Sequence, residues 1–183
     1  MGLAGALAAL LLGDSNYGYQ LIALLEAELG PIWTTRPSQV YLTLGRMQRD
    51  GWLEAERVSQ SRRPDRHLLT LTRSGRRAGQ AWLDKSDDDD LVVRLAVARI
   101  IAPESFAELI EAAINHRAAR LRSLRKSRNS PATGFRREAL EAEIQRVYGE
   151  LRWLDSVAKR APELVSLPRA DKSPTRVARI VEQ

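Results

Sequence analysis

The stretch from Thr34 to Gly51, TTRPSQVYLTLGRMQRDG, constrains this chain more than any other. It predicts one short helix with marked ends. Pro37 suits the first helical turn, where its missing N–H costs no hydrogen bond. Gly51 suits the left-handed position just beyond the last turn. Between them Val40, Leu44 and Met47 recur at spacings of four and three, which makes one face apolar. The other face carries Arg36, Ser38, Gln39, Tyr41, Thr43, Arg46 and Arg49, and no acid occurs before Asp50. An apolar back with a donor-rich, acid-free front suits a helix that enters the DNA major groove. An ordinary amphipathic surface helix has the same back, so the surroundings must decide.

Charge is the first of those surroundings. Residues 1–30 contain Asp14, Glu26 and Glu28 and no Lys or Arg. Residues 31–82 contain ten Arg against Asp50, Glu54, Glu56 and Asp65, which alone equals the +6 of the whole chain. The positive excess is therefore concentrated around the candidate helix. Such a patch attracts polyanions with salt-dependent strength. Every base within it is Arg, whose planar fork matches phosphate and guanine edges.

The flanking segments give the helix its setting. Leu3 to Leu12 is an apolar run without a preceding basic residue, expected to be a buried first helix rather than a signal peptide. It is too short to span a bilayer, and no other stretch comes nearer, so the expectation is a soluble, cytoplasmic protein. Asp14 or Ser15 is the expected cap of a second helix from about Tyr17 to Leu29, which Gly30-Pro31 ends. With the Pro37 helix this makes a helix-turn-helix order, and Trp33 is expected to plug the link. After Gly51 the period changes. WLEAERVS and HLLTLT alternate as short strands, joined by the polar loop SQSRRPDR. Two strands and a basic loop behind a helix-turn-helix make a wing, with Arg62, Arg63 and Arg66 placed to grip phosphates or enter a minor groove.

These pieces resemble the PadR-type transcriptional regulators, winged-helix proteins with a helical C-terminal dimerisation region. The resemblance rests on Tyr17-Gly18-Tyr19-Gln20-Leu21, Pro37-Ser38-Gln39-Val40-Tyr41-Leu42, Leu44-Gly45-Arg46-Met47, Gly51-Trp52-Leu53-Glu54 and Leu71-Thr72-Arg73-Ser74-Gly75-Arg76. It covers residues 3–83. It implies that Ser38, Gln39 and Tyr41 face DNA, that Arg62, Arg63 and Arg66 flank the groove, and that Tyr17 and Tyr19 lie near the DNA backbone. Tyr17 stands where the family commonly has His, and Arg62-Arg63-Pro64-Asp65 replaces its Gly-rich turn.

Thr72 is the expected cap of a fourth helix. Asp87 to Asp90 reads as a solvated helix start rather than a cation site. LVVRLAVARIIA predicts a buried helix from Leu91 to Ile101, and Pro103-Glu104 starts the next. Beyond it Ile110, Ile114, Leu121 and Leu124, and then Leu140, Ile144, Val147, Leu151, Leu154 and Ala158, keep a coiled-coil rhythm that Arg117 interrupts. Two such helices can close as an antiparallel hairpin across residues 129–134, and a second copy of the chain is the expected partner, the alternative being a monomer whose seam closes on its own winged helix. The tail from Pro162 reads as extended or disordered.

The expected architecture is mainly α. A winged helix-turn-helix domain with a two-stranded wing occupies residues 1–85, a helical dimerisation domain 86–161, and a tail 162–183. The expected function is that of a homodimeric DNA-binding regulator, most simply a repressor on an inverted repeat of double-stranded DNA. The DNA-facing set is Tyr17, Tyr19, Arg36, Ser38, Gln39, Tyr41, Thr43, Arg46, Arg62, Arg63 and Arg66. A small aromatic effector, where one acts, is expected between the winged helix and the C-terminal helices, near Trp82, His116 and Trp153. The chain has no Cys, two distant His and no glycine-rich phosphate loop, so neither a cofactor, a metal nor catalysis is expected. The competing reading is a helical protein-interaction adaptor whose basic patch is incidental.

Overall fold

A computed structural model describes residues 2–58, 66–85, 90–128 and 134–168. The chain divides into two compact units, with the break after Ala102.

The first unit begins with α1 (Gly2–Leu10), buried along almost its whole length. A short strand β1 (Asn16–Tyr17) leads into α2 (Gly18–Leu29), and a single 3-10 turn (Gly30–Ile32) follows. Next come α3 (Pro37–Arg49), β2 (Leu53–Val58), β3 (Arg66–Leu71), α4 (Arg73–Leu83) and α5 (Leu91–Ile101). The helix-turn-helix, the two wing strands and the fourth helix all stand where the sequence predicts them.

The sheet has three strands in the order β1-β3-β2, all antiparallel, so β1 is an addition to the expected pair. Asn16 pairs with Leu69 and Tyr17 with Leu68. On β3, Leu69 and Leu71 turn into the core and meet the buried Leu53 at the start of β2. Neither Asp14 nor Ser15 caps α2. Tyr17 holds the capping position, and its N–H donates to the Gln20 side-chain oxygen at 3.1 Å. Ser15 is engaged elsewhere, sharing a 2.8 Å hydrogen bond with the hydroxyl of Thr70 on β3. Trp33 is half-buried, with its indole nitrogen enclosed.

α1 and α4 approach closely because small residues face each other. A Cβ on Gly5 would fall 2.3 Å from the Trp82 ring, and one on Gly79 would fall 2.9 Å from the backbone of Ala8. α5 packs on α1 and α2, so the helix that the sequence groups with the C-terminal half joins the winged-helix unit. Its buried Arg94 places its guanidinium 5.6 Å from the Trp82 ring, and Arg99 Nε donates to Glu28 on α2 at 2.9 Å.

The second unit is a helical hairpin. A 3-10 turn (Pro103–Ser105) precedes α6 (Phe106–Arg128), and α7 (Arg136–Ser166) returns along it. The cross-helix pairs Arg117–Glu150, Arg120–Glu143 and Arg128–Glu141 fix an antiparallel course. Leu121, Leu124, Ile144 and Val147 form the core at this end, covered by Leu140, Tyr148 and Leu151. The predicted seam is thus occupied by the hairpin itself. Arg117 fills the seam rather than breaking it: it is 1% exposed and pairs with Glu150 at 3.2 Å. α7 also passes through Pro162 and ends at Ser166, five residues into the predicted extended tail. Burial of Ala161 holds this last stretch in place, and Glu163 accepts from the Leu167 N–H at 3.2 Å.

Candidate nucleic-acid interface

The three apolar residues of α3, Val40, Leu44 and Met47, are all buried. Counting around the helix from them places Ser38, Leu42, Gly45 and Arg49 opposite, at spacings of four, three and four. Gln39 and Arg46 are exposed beside this stripe, and Arg36 is exposed at the capping position. Thr43 is half-buried on the flank, and its hydroxyl donates to the Gln39 carbonyl at 2.8 Å. Leu42 therefore joins Arg49 and the other polar residues that the sequence places on this front. Leu42 is 69% exposed. It went unread because it is apolar, although helical periodicity counted from Val40 already points it outward.

The end of α3 is tied to α4. Gly51 takes φ of 72°, a left-handed turn that glycine adopts without strain. Its carbonyl accepts from the hydroxyls of Thr72 at 2.6 Å and Ser74 at 2.7 Å. The Thr72 N–H donates to the Trp52 carbonyl at 3.0 Å, and Thr72 Oγ1 caps α4 by accepting from the Gly75 N–H at 3.2 Å. One Thr thus serves both as helix cap and as the latch of the preceding turn.

Beside α3 a cleft of about 440 Å³ opens against the start of α2 and the two long strands, with Tyr17, Tyr19, Tyr41, Gln48, Arg66 and His67 among its walls. The rings of Tyr17 and Tyr19 stack at 5.8 Å between centroids, 11° from parallel. The Arg66 guanidinium lies 5.8 Å and 5.2 Å from those two ring centroids, and its Nη1 donates to the Tyr19 hydroxyl at 3.1 Å. Gly18 leaves room for Tyr41, since a Cβ there would fall 2.8 Å from that ring. Partial burial, aided by the neighbouring Tyr19 phenol, pushes the Tyr41 pKa above its ordinary value.

Tyr17, Tyr19, Tyr41 and Arg66 are thus brought together in the cleft on one flank of α3, in the same unit as Ser38, Gln39 and Arg46. Arg62 and Arg63 lie outside the described residues. The three side chains expected near an effector do not share a unit. Trp82 is buried in the winged-helix core, 4% exposed, with its indole nitrogen lacking an acceptor. His116 and Trp153 are half-buried on the hairpin, and His116 Nδ1 lies 3.5 Å from Arg117 Nη1. Among the described residues no three His, Cys, Asp or Glu side chains are grouped to hold a metal ion, and no helix is long and apolar enough to cross a membrane.

Residues 7–81 match the Transcriptional regulator PadR-like family, and residues 89–161 match the Virulence activator alpha C-term family. Residues 7–81 form a PadR-like domain. That family comprises transcriptional regulators, not enzymes. The PadR-like match runs from within α1 to within α4 and so contains the candidate interface. Over 83 residues the chain is 31% identical to the probable transcriptional regulator Rv1176c of Mycobacterium tuberculosis, covering 45% of this chain and 44% of that protein. Over 116 residues it is 23% identical to the negative transcriptional regulator PadR of Bacillus subtilis, covering 60% and 64%. The chain thus spans less than two thirds of either of these curated relatives. A crystal structure of Bacillus subtilis PadR in complex with operator DNA is similar over 87% of this chain and 98% of that one, at 21% identity and a TM-score of 0.42.

Proposed function

We propose that the chain is a sequence-specific regulator that binds double-stranded DNA as a homodimer and represses from an inverted-repeat operator in the cytoplasm. The observation that carries this reading is the exposed, acid-free front of α3, with Ser38, Gln39, Arg46 and Arg49 exposed on it and Arg66 with its tyrosines along the flank that carries Tyr41. In this reading α3 lies in the major groove, and the tyrosine-lined side meets the backbone of one strand. The names of the two curated relatives support a regulatory role.

Dimerisation is assigned to the helical half. The hairpin closes its own seam but leaves Phe135 exposed at the start of α7 and Val165 and Leu167 exposed at its end, and in this reading a second copy meets one of these two ends. Two recognition helices set about one DNA turn apart, roughly 34 Å, read a two-fold related site. An effector, in the same reading, is a small aromatic molecule that meets the half-buried His116 and Trp153, and it acts by favouring one spacing of the two winged helices over another. Trp82, serving the core, is the weakest of the three candidates for contact.

The test is a gel-shift with genomic fragments from both sides of the coding region, repeated with Gln39→Ala combined with Arg46→Ala. Selective binding by the wild type, lost in the double variant, is the expected result. Equal affinity for all fragments, or unchanged selectivity in the variant, would remove the assignment and favour a protein-interaction adaptor.

A further inference from the structure

Two residues on the outward stripe of α3 are not explained by a polar DNA-reading surface. Leu42 is 69% exposed at the middle of that stripe. Gly45 lies three residues further along the same stripe, inside the helix. Glycine within a helix is less favourable than alanine, so it needs a reason. Here the backbone supplies none, because Gly45 is not among the positive-φ glycines. Packing supplies none either. A Cβ at this position would have Arg49 Nη1 as its nearest neighbour at 3.8 Å, an ordinary contact. Gly18, Gly75 and Gly79 contrast with it, each having an atom within 3.0 Å of the added carbon. Gly45 is half-buried and lines the cleft it shares with Tyr41 and Arg66, so the space it keeps open lies at the surface of α3.

A notch beside an apolar knob fits one feature of the major groove. Its floor is a pattern of donors and acceptors, and the only apolar group on it is the C5-methyl of thymine. The neighbours of Leu42 on the stripe and its flanks, Ser38, Gln39, Arg46 and Arg49, offer donors to phosphates and base edges. Tyr41, 52% exposed, and the Thr43 methyl stand on the flanks of α3, and Leu42 is the one wholly aliphatic side chain at the centre of its front. We propose that Leu42 reads a thymine methyl at the centre of each half-site, and that Gly45 lets the helix come close enough for it to do so. This rests on α3 being the DNA-reading helix, and it adds a base identity to that reading.

The experiment uses the full-length protein and the duplex that it enriches from a randomised pool. Each thymine of that duplex is replaced in turn by deoxyuridine, which lacks only the methyl, and binding is followed by fluorescence anisotropy. One thymine per half-site is expected at which the replacement weakens binding about fourfold, the effect of burying one methyl-sized group. Leu42→Ala should bind the thymine duplex more weakly and be indifferent to the same replacement. Gly45→Ala should melt at a higher temperature than wild type yet bind the enriched duplex at least tenfold more weakly.

Several results would overturn the proposal. Selective binding that no deoxyuridine replacement weakens removes the methyl contact and leaves DNA reading by α3 intact. A thymine preference that survives in Leu42→Ala assigns the methyl to another side chain. Loss of self-association in Leu42→Ala, measured by sedimentation, with the thymine preference retained, makes Leu42 a protein contact. Failure of the wild type to enrich any sequence removes both this inference and the reading beneath it.

Discussion

Replacing Gly75 by alanine tests the corner that joins the end of α3 to α4. The added Cβ would lie 2.1 Å from the carbonyl oxygen of Trp52 and 2.9 Å from Leu71 Cδ2. The leucine tip can turn away, but the carbonyl is backbone and already accepts from the Thr72 N–H at 3.0 Å. The helix gains at most about 1 kcal/mol from alanine, and less here because Gly75 is in the first turn of α4. Against that, overpacking costs about 1–3 kcal/mol, and weakening the Thr72–Trp52 hydrogen bond costs about 1 kcal/mol. The net expectation is a loss of about 1–3 kcal/mol. For a unit of this size that lowers the melting temperature by roughly 4–8 °C for each kcal/mol. Thermal and urea melts followed by circular dichroism measure it, with Gly45→Ala as the matched substitution of opposite sign. Since Trp52 leads directly from α3 into β2, DNA selectivity should fall along with stability. A Gly75→Ala protein as stable as wild type would refute the reasoning, because the corner would then yield without cost.

Three further outcomes follow from the same structure. Glu28→Gln removes the carboxylate from a pair whose side chains are only 10–12% exposed, so urea melts should show a loss of about 3 kcal/mol, and a double-mutant cycle with Arg99→Met should recover part of it. The Arg146 side chain, by donating to Glu143 with further help from Arg120, holds that carboxyl below its usual pKa. Its stabilising effect is therefore complete above the unfolded pKa and is lost as pH falls through the lower folded value, so acid titration of Glu143→Gln should show a shallower decline than wild type. Arg66→Ala should reduce the slope of log affinity against log salt by about one per protomer, read from binding isotherms between low and physiological salt.

Legibility in the sequence tracked how local the determining forces were. The ends of α3 were readable because Pro37 and Gly51 act through their own backbone geometry. β1 was not, because two residues cannot display alternation and their pairing depends on Leu68 and Leu69, some fifty residues away. The fourth helix was readable from Thr72, whose cap is made with Gly75 three residues on. The allegiance of α5 was hidden, since an apolar run predicts burial without naming the surface that buries it. Arg117 looked like a break because spacing alone cannot foresee that Glu150 on the returning helix will meet it. At the candidate interface the basic and polar residues were visible from their chemistry. The stack of Tyr17, Tyr19 and Arg66 was not, because it joins two elements that are distant in sequence.

The Arg66 clamp has a kinetic consequence for a regulator of the proposed kind. It staples the first residue of β3 to the first turn of α2 through two rings and a hydroxyl, so the root of the wing is already braced when free in solution. Side chains ordered in advance forfeit less rotational freedom on encounter. Differences between good and poor operators should then emerge in how long the protein stays rather than in how fast it arrives.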